Sequence, residues 1–200
     1  MEKTIRVRAA VPADAAALLA IYRPYVEKTA ISFEWEAPTE AVFRGRVEKT
    51  LKQYPYLAAE RGGEILGYAY CGAFVPRAAY DWTAETTIYL REDQHGRGLG
   101  RRLYTALENV AKAQGYRTLY ACVGVPAVED AYLTFNSQSF HRHLGYDVVG
   151  TFRGCGYKFG VWYDMVWMEK RLGEPQGDPG APIPFPELSP AALAAAGVEP

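Results

Sequence analysis

The chain has 200 residues, 49% of them hydrophobic and 22% charged, which supports a sizeable core and excludes disorder throughout. The formal net charge of −1 is unevenly spread: residues 173–200 carry Glu174, Asp178, Glu187 and Glu199 and no Lys or Arg. Residues 1–172 therefore stand at +3, too little to mark a nucleic-acid surface.

From the N-terminus, Thr4–Arg8 alternates and reads as a short strand, too charged to be a signal peptide. Pro12 opens a helix, and a second helix is expected from Thr39, its N-cap, to about Gln53, with Val42, Phe43, Val47 and Leu51 on one face. Tyr56–Glu60 and Ile65–Phe74 are β-rich runs joined by Arg61-Gly62-Gly63-Glu64, a hairpin signal. Trp82–Leu90 reads as a strand. It runs into a turn at Gly96–Gly100 and then a helix to Gln114, with Gly115 as C-cap. Thr118–Val123 is a strand, Asp130–His143 a helix, and Tyr146–Phe152 and Tyr157–Met168 two closing strands. The expected organisation is a body over 1–172 and a proline-rich acidic extension over 173–200. In the extension, Pro182–Pro186 is expected to lie extended across the body or a partner subunit, with Ile183 and Phe185 as apolar anchors. Ser189-Pro190 then starts a short helix ending at Gly197. Cys71, Cys122 and Cys155 lack any C-x-x-C pair, which argues against a disulfide framework and suits a reducing cytoplasm. No run approaches the roughly 20 apolar residues of a membrane span, so a soluble protein is expected.

The most informative segment is the turn holding Gly96, Gly98 and Gly100. Glycines let a backbone approach a ligand closely, and a helix starting at once presents free N–H groups to phosphate. Arg97, Arg101 and Arg102 add positive charge. The sequence has no G-K-[ST] for a P-loop, and the G-x-G-x-x-G spacing fails at Arg101 and Leu103.

His95-Gly96-Arg97-Gly98-Leu99-Gly100 resembles the Q/R-x-x-G-x-G/A loop of the GNAT superfamily of acetyl-CoA-dependent N-acetyltransferases, with His95 in place of Gln or Arg. A-Y-D-W-T-A-E-T-T-I-Y at 79–89, H-x-x-L-G-Y at 141–146 and G-Y-K-F-G-V-W-Y-D at 156–164 are similar to its phosphinothricin/methionine-sulfone branch. The resemblance spans roughly residues 4–170. It implies an α/β (α+β) fold with a mixed, strongly curved central sheet flanked by helices. Acetyl-CoA would lie where two parallel strands splay, here Thr83–Leu90 and Thr118–Val123, and the protein would be a homodimer. Cofactor contacts implied are backbone at Ile88, Tyr89 and Leu90, the loop from His95 through Gly96, Arg97, Gly98, Leu99 and Gly100 to Arg101, and Ser137. The family's Asn position is Thr134 here, with Asn136 two residues later.

Acetyl transfer needs a neutral amine, an oxyanion site and a proton for the departing thiolate. An amine of pKa about 10.4 costs roughly 4–5 kcal/mol to deprotonate at pH 7, one of pKa about 8 only ~1.4 kcal/mol. Glu85 shares a strand face with Thr83, Thr87 and Tyr89, an unusual place for a carboxylate, and the resemblance makes it the expected base. The resemblance also makes His141 a second candidate for proton transfer, and backbone N–H groups near 88–90 the oxyanion site. For the acceptor it implies Phe33, Arg77, Tyr80 and Tyr89, while Lys158 and Trp162 read as a site wall or a dimer contact. His141-x-His143 has no partners for a metal, so none is expected. No G-x-S-x-G occurs, which favours direct attack over an acyl-enzyme. The leading expectation is acetylation of the primary amine of a small amino-acid-like molecule. The alternatives are a non-catalytic coenzyme A-binding sensor, or acetylation of peptides or proteins.

Overall fold

Helix ends follow from local chemistry. The computed structural model, which describes residues 4–174 and 176–199, places α2 at Glu40–Leu51, starting where the Thr39 hydroxyl accepts the Val42 N–H (3.3 Å). Phe43 and Val47 are buried on its inner face, whereas Val42 faces solvent. Pro12 begins a single 3-10 turn, and α1 follows at Ala15–Lys28. The long amphipathic helix α3, Leu99–Gln114, stops at Gly115, whose φ of 98° only glycine adopts without strain. The expected helix over 130–143 is half as long: α4 is Asn136–His143. Upstream, Asp130 Oδ1 accepts the N–H groups of Tyr132 and Leu133 (2.7 and 2.8 Å), and the Glu129 carboxylate accepts that of Phe135 (2.8 Å). Side chains take the donors that a helix would have used.

Seven strands form one sheet in the order β1-β2-β3-β4-β5-β7-β6. They are β1 Arg6–Ala9, β2 Tyr56–Arg61, β3 Glu64–Ala73, β4 Thr83–Leu90, β5 Thr118–Val125, β6 Asp147–Lys158 and β7 Val161–Arg171. Among these seven strands, β4 and β5 pair in parallel and the other neighbours antiparallel. The expected strand over 157–168 is interrupted, because Phe159-Gly160 (φ 51° and 81°) is the hairpin turn between β6 and β7. An aromatic residue at a left-handed position hides that turn from composition.

α1 and α2 cover one face of the sheet over Leu18, Val26, Phe43 and Tyr68, and α3 covers the other over Leu57, Leu103, Leu107 and Leu119. The short helix α5, Pro190–Ala195, is capped by Ser189, whose hydroxyl accepts the Ala192 N–H (3.1 Å). Phe185, Ala196 and Val198 join the α3-side core, and the Glu199 N–H donates to the Val7 carbonyl (2.7 Å) at the outer edge of β1. The extended strip thus lies on the body. Of its two expected apolar anchors only Phe185 is buried. Ile183 is 43% exposed and held by its backbone, which donates to the Gln114 carbonyl (2.8 Å) and accepts from the Gln114 side chain (2.8 Å).

Candidate active site

A cleft opens where the sheet stops pairing. β4 and β5 are registered only from Thr83↔Thr118 to Thr86↔Ala121. Beyond that, β5 follows β7 as far as Val125↔Asp164 and leaves β4 behind. Backbone groups of β4 at 87–90 have no strand partner on that side, so N–H and C=O groups face the cleft.

The glycine turn closes one end. Gly96 (φ 70°) and Gly98 (φ 78°) are left-handed, and a Cβ at either would meet nothing within 4 Å. Gly100 is needed for packing instead: its Cβ would meet the Phe140 ring at 3.0 Å. α3 starts at Leu99 with no side chain capping its N–H groups, and Arg97 and Arg101 are exposed beside them. An open cradle of unspent donors with flanking cations fits the pyrophosphate of a coenzyme A thioester. His95 is directed to α1: the Tyr25 hydroxyl donates to the Leu90 carbonyl (2.6 Å), so its oxygen accepts from His95 Nε2 (2.8 Å).

A cavity of about 310 Å³ lies over the cleft. It gathers six of the residues singled out in the sequence: Phe33, Glu85, Ile88, Tyr89, Ser137 and His141. Leu90 and the stretch from His95 to Arg101 lie at the end of β4 and in the glycine turn. Arg77 and Tyr80 do not line the cavity. Tyr80 meets Phe74 edge-on (6.0 Å), and Phe74 stacks on Tyr120 (4.5 Å), the β5 neighbour of Glu85. Thr134 and Asn136 serve the start of α4, where the Thr134 hydroxyl accepts the Asn136 N–H (3.4 Å). Trp162 is 64% exposed, its ring tilted against that of Tyr157 (5.0 Å) on the outer hairpin.

Burial raises the Glu85 carboxyl above the usual glutamate pKa, with no cation offsetting it. That makes it a stronger base than a solvated carboxylate. Burial has the opposite sign for His141, which it lowers to about 4, so the ring is neutral at pH 7. Its Nδ1–H donates to the Ser137 carbonyl (2.7 Å), leaving Nε2 to accept the Tyr104 hydroxyl (2.8 Å). Thr86 Oγ1 lies 3.1 Å from the same hydroxyl and donates its own proton to the Tyr120 carbonyl (3.1 Å). His141 therefore reaches the cavity with its lone pair already engaged. Tyr104, a fully buried residue of α3 that the sequence reading does not single out, also lines the cavity. The signal for it is chemical: a fully buried tyrosine must find a partner for its hydroxyl.

The Phe33 ring, in the loop after α1, is seated by two glycines and a tyrosine from three strands. A Cβ on Gly156 would fall 2.4 Å from it, Gly124 leaves room at 3.5 Å, and Tyr163 stacks at 6.4 Å. Just before it, the backbone is fixed by Lys158, which is 1% exposed. The ammonium donates to the carbonyls of Val26 (2.7 Å), Thr29 (2.8 Å) and Ser32 (2.6 Å). It joins the C-terminal turn of α1 to the segment that walls the cavity.

Comparison with known proteins agrees with this geometry. A sequence profile of the acetyltransferase (GNAT) domain matches residues 7–167. The phosphinothricin N-acetyltransferase of Streptomyces viridochromogenes is 35% identical over 84% of this chain and 88% of its own. The L-methionine sulfoximine/L-methionine sulfone acetyltransferase of Pseudomonas aeruginosa is also 35% identical, over 86% and 98%. The crystal structure of a GNAT phosphinothricin acetyltransferase from Sinorhizobium meliloti in complex with AcCoA superposes with a TM-score of 0.79, at 32% identity over 90% of this chain and 96% of that one. With a profile match over most of its length, a splayed β4–β5 pair and an open glycine cradle between them, the chain belongs to the GNAT acetyltransferase family.

Proposed function

We propose that this protein transfers the acetyl group of acetyl-CoA to the primary amine of a small amino-acid-like acceptor, with Glu85 as the base. The observation that carries the reading is the placement of a desolvated carboxylate on the wall of a cavity that opens into the β4–β5 cleft. The named activities of the relatives support the same acceptor class.

Acetyl-CoA supplies a thioester carbonyl for the amine to attack and a thiolate that leaves. The N–H groups at the start of α3, with Arg97 and Arg101, would hold the pyrophosphate, and the N–H groups of Ile88 and Leu90, on the side of β4 that β5 leaves unpaired, would face the thioester oxygen. Glu85 accepts the proton that the amine loses as its new C–N bond forms. His141 holds Tyr104 in place through Nε2, so its part in any proton movement runs through that hydroxyl. Phe33 and Tyr89, which line the cavity, wall the acceptor, while Arg77 and Tyr80 lie outside that lining. We assign residues 1–172 to the catalytic body and 173–200 to an extension bound to it. Val149, Phe152, Tyr157 and Trp162 are exposed on the β6–β7 edge. That apolar edge supports a homodimer, and three free cysteines support a reducing cytoplasm.

Thiol release from acetyl-CoA with methionine sulfone, methionine sulfoximine, phosphinothricin, the standard amino acids and polyamines tests the reading. Release with at least one amino-acid-like amine is expected; release with none overturns it.

A further inference from the structure

The sheet face that carries Glu85 extends past its cavity. Side chains alternate along a strand, so Tyr68, Tyr70 and Gly72 of β3 share a face with Tyr89, Thr87 and Glu85 of β4, to which they are paired in that order. The β3 residue directly beside Glu85 therefore has no side chain. On the other flank, β5 presents Tyr120, closed off by the stacked Phe74 ring. Glu85 has one crowded neighbour and one open one.

The open side leads to a second cavity of about 370 Å³ between the sheet, α1 and α2. Gly72 lines it, with Tyr22, Tyr54, Tyr56 and Tyr68, and Tyr70 and Tyr89 wall both cavities. A Cβ at Gly72 would meet nothing within 4 Å, so the passage over it is clear. Tyr56 and Tyr68 are 2% and 1% exposed, so their rings form a fixed lining. Tyr56 stacks on Tyr70 at 4.7 Å, and Tyr22 meets Tyr89 edge-on at 4.8 Å. The charged groups stand at the rim, where Arg46 donates to Glu34 (2.6 Å) and Lys49 is exposed.

We propose that Gly72 is the threshold of a side-chain chamber for the acceptor. The acceptor amine faces Glu85, and its side chain passes over Gly72 into the tyrosine-lined cavity. Ring faces reward a large, uncharged, polarisable group, and the lining offers no buried counter-ion for an ammonium or a carboxylate. The acceptor class is therefore an α-amino acid with a large uncharged side chain, aromatic ones included. This inference rests on the amino-acid acetylation proposed above and adds which amino acids are taken.

The test measures kcat/KM for phenylalanine, tyrosine and methionine against alanine and serine, in the unmodified protein and in Gly72→Val. Valine suits a strand and its Cβ meets nothing within 4 Å there, so the variant is expected to keep its melting temperature. Gly72→Ala gives a milder block should valine disturb folding. The unmodified protein should favour the large side chains. Gly72→Val should cut the phenylalanine-to-alanine ratio by about tenfold or more, in line with steric exclusion from an apolar pocket. A ratio unchanged in both folded variants, or no preference for large side chains to begin with, overturns the chamber while leaving acetylation standing. Acetylation of no amino acid of either size overturns both readings.

Discussion

The two halves of the site are built in opposite ways. The cofactor half is local: one strand end, the eight residues 91–98 and the first turn of α3, all between Thr87 and Arg102. Its donors are backbone groups, and glycine is present because conformation and close approach demand it. The acceptor half is assembled from a distance. Phe33 comes after α1, Glu85 and Gly72 from adjacent strands, Gly124, Gly156 and Tyr163 from three others, and Lys158 reaches back 132 residues to Val26. A locally encoded half can stay constant while the assembled half is retuned by any of several segments. That division suits a family whose members share one acetyl donor and differ in acceptor.

The largest test of the contrast is Glu85→Gln. Turnover should fall about 10²–10⁴-fold, while acetyl-CoA binding, followed by calorimetry, changes little. An unchanged turnover removes Glu85 as base. Next comes Lys158→Met, which keeps the bulk and leaves three carbonyls without a donor. Each buried, unsatisfied group costs about 1–3 kcal/mol, so the melting temperature should drop by several degrees. The acceptor KM should rise more than the acetyl-CoA KM. Equal effects on both would show that Lys158 stabilises the fold without setting the position of Phe33.

Gly98→Ala probes the other half. A non-glycine residue at φ 78° is strained by roughly 1–2 kcal/mol, so acetyl-CoA should bind about 5–30-fold more weakly with the acceptor KM preserved. The smallest effect is one of stability. Because burial raises the Glu85 pKa, the folded state holds its proton more tightly than the unfolded chain. Wild-type stability is therefore reduced above that raised pKa, and the penalty fades as pH falls from there toward the ordinary glutamate value of about 4.3, below which it is gone. Glu85→Gln should consequently melt higher than wild type at pH 7–8, with the gap closing in acid. A gap that does not depend on pH would show that desolvation is not its cause.

The same contrast explains what was legible. The cradle, the Thr39 and Ser189 caps, the Gly62-Gly63 turn and the stop at Gly115 all rest on residue type at short spacing, and each stands where the sequence places it. The failures involve groups whose partners lie elsewhere or compete locally. Asp130 and Glu129 dismantle the start of an expected helix by taking its donors. Phe159 turns the chain where composition reads strand, and its ring stacks on Tyr132 at 4.4 Å. Lys158 reads as one charge in an aromatic strip, because the three carbonyls it serves are more than 120 residues away. Tyr104 lies on the buried face of α3, where helical period alone says nothing about its hydroxyl.

The bond from the Glu199 amide to the Val7 carbonyl joins segments 192 positions apart. Closing so long a loop carries a large entropic cost and little local support, so it forms late and is the first to come undone on warming. When it opens, β1 becomes a bare strand edge able to recruit another chain. Inactivation by heat is then expected to start as peeling at this margin, with aggregation setting in while the acetylation machinery, at the centre of the sheet, is still intact.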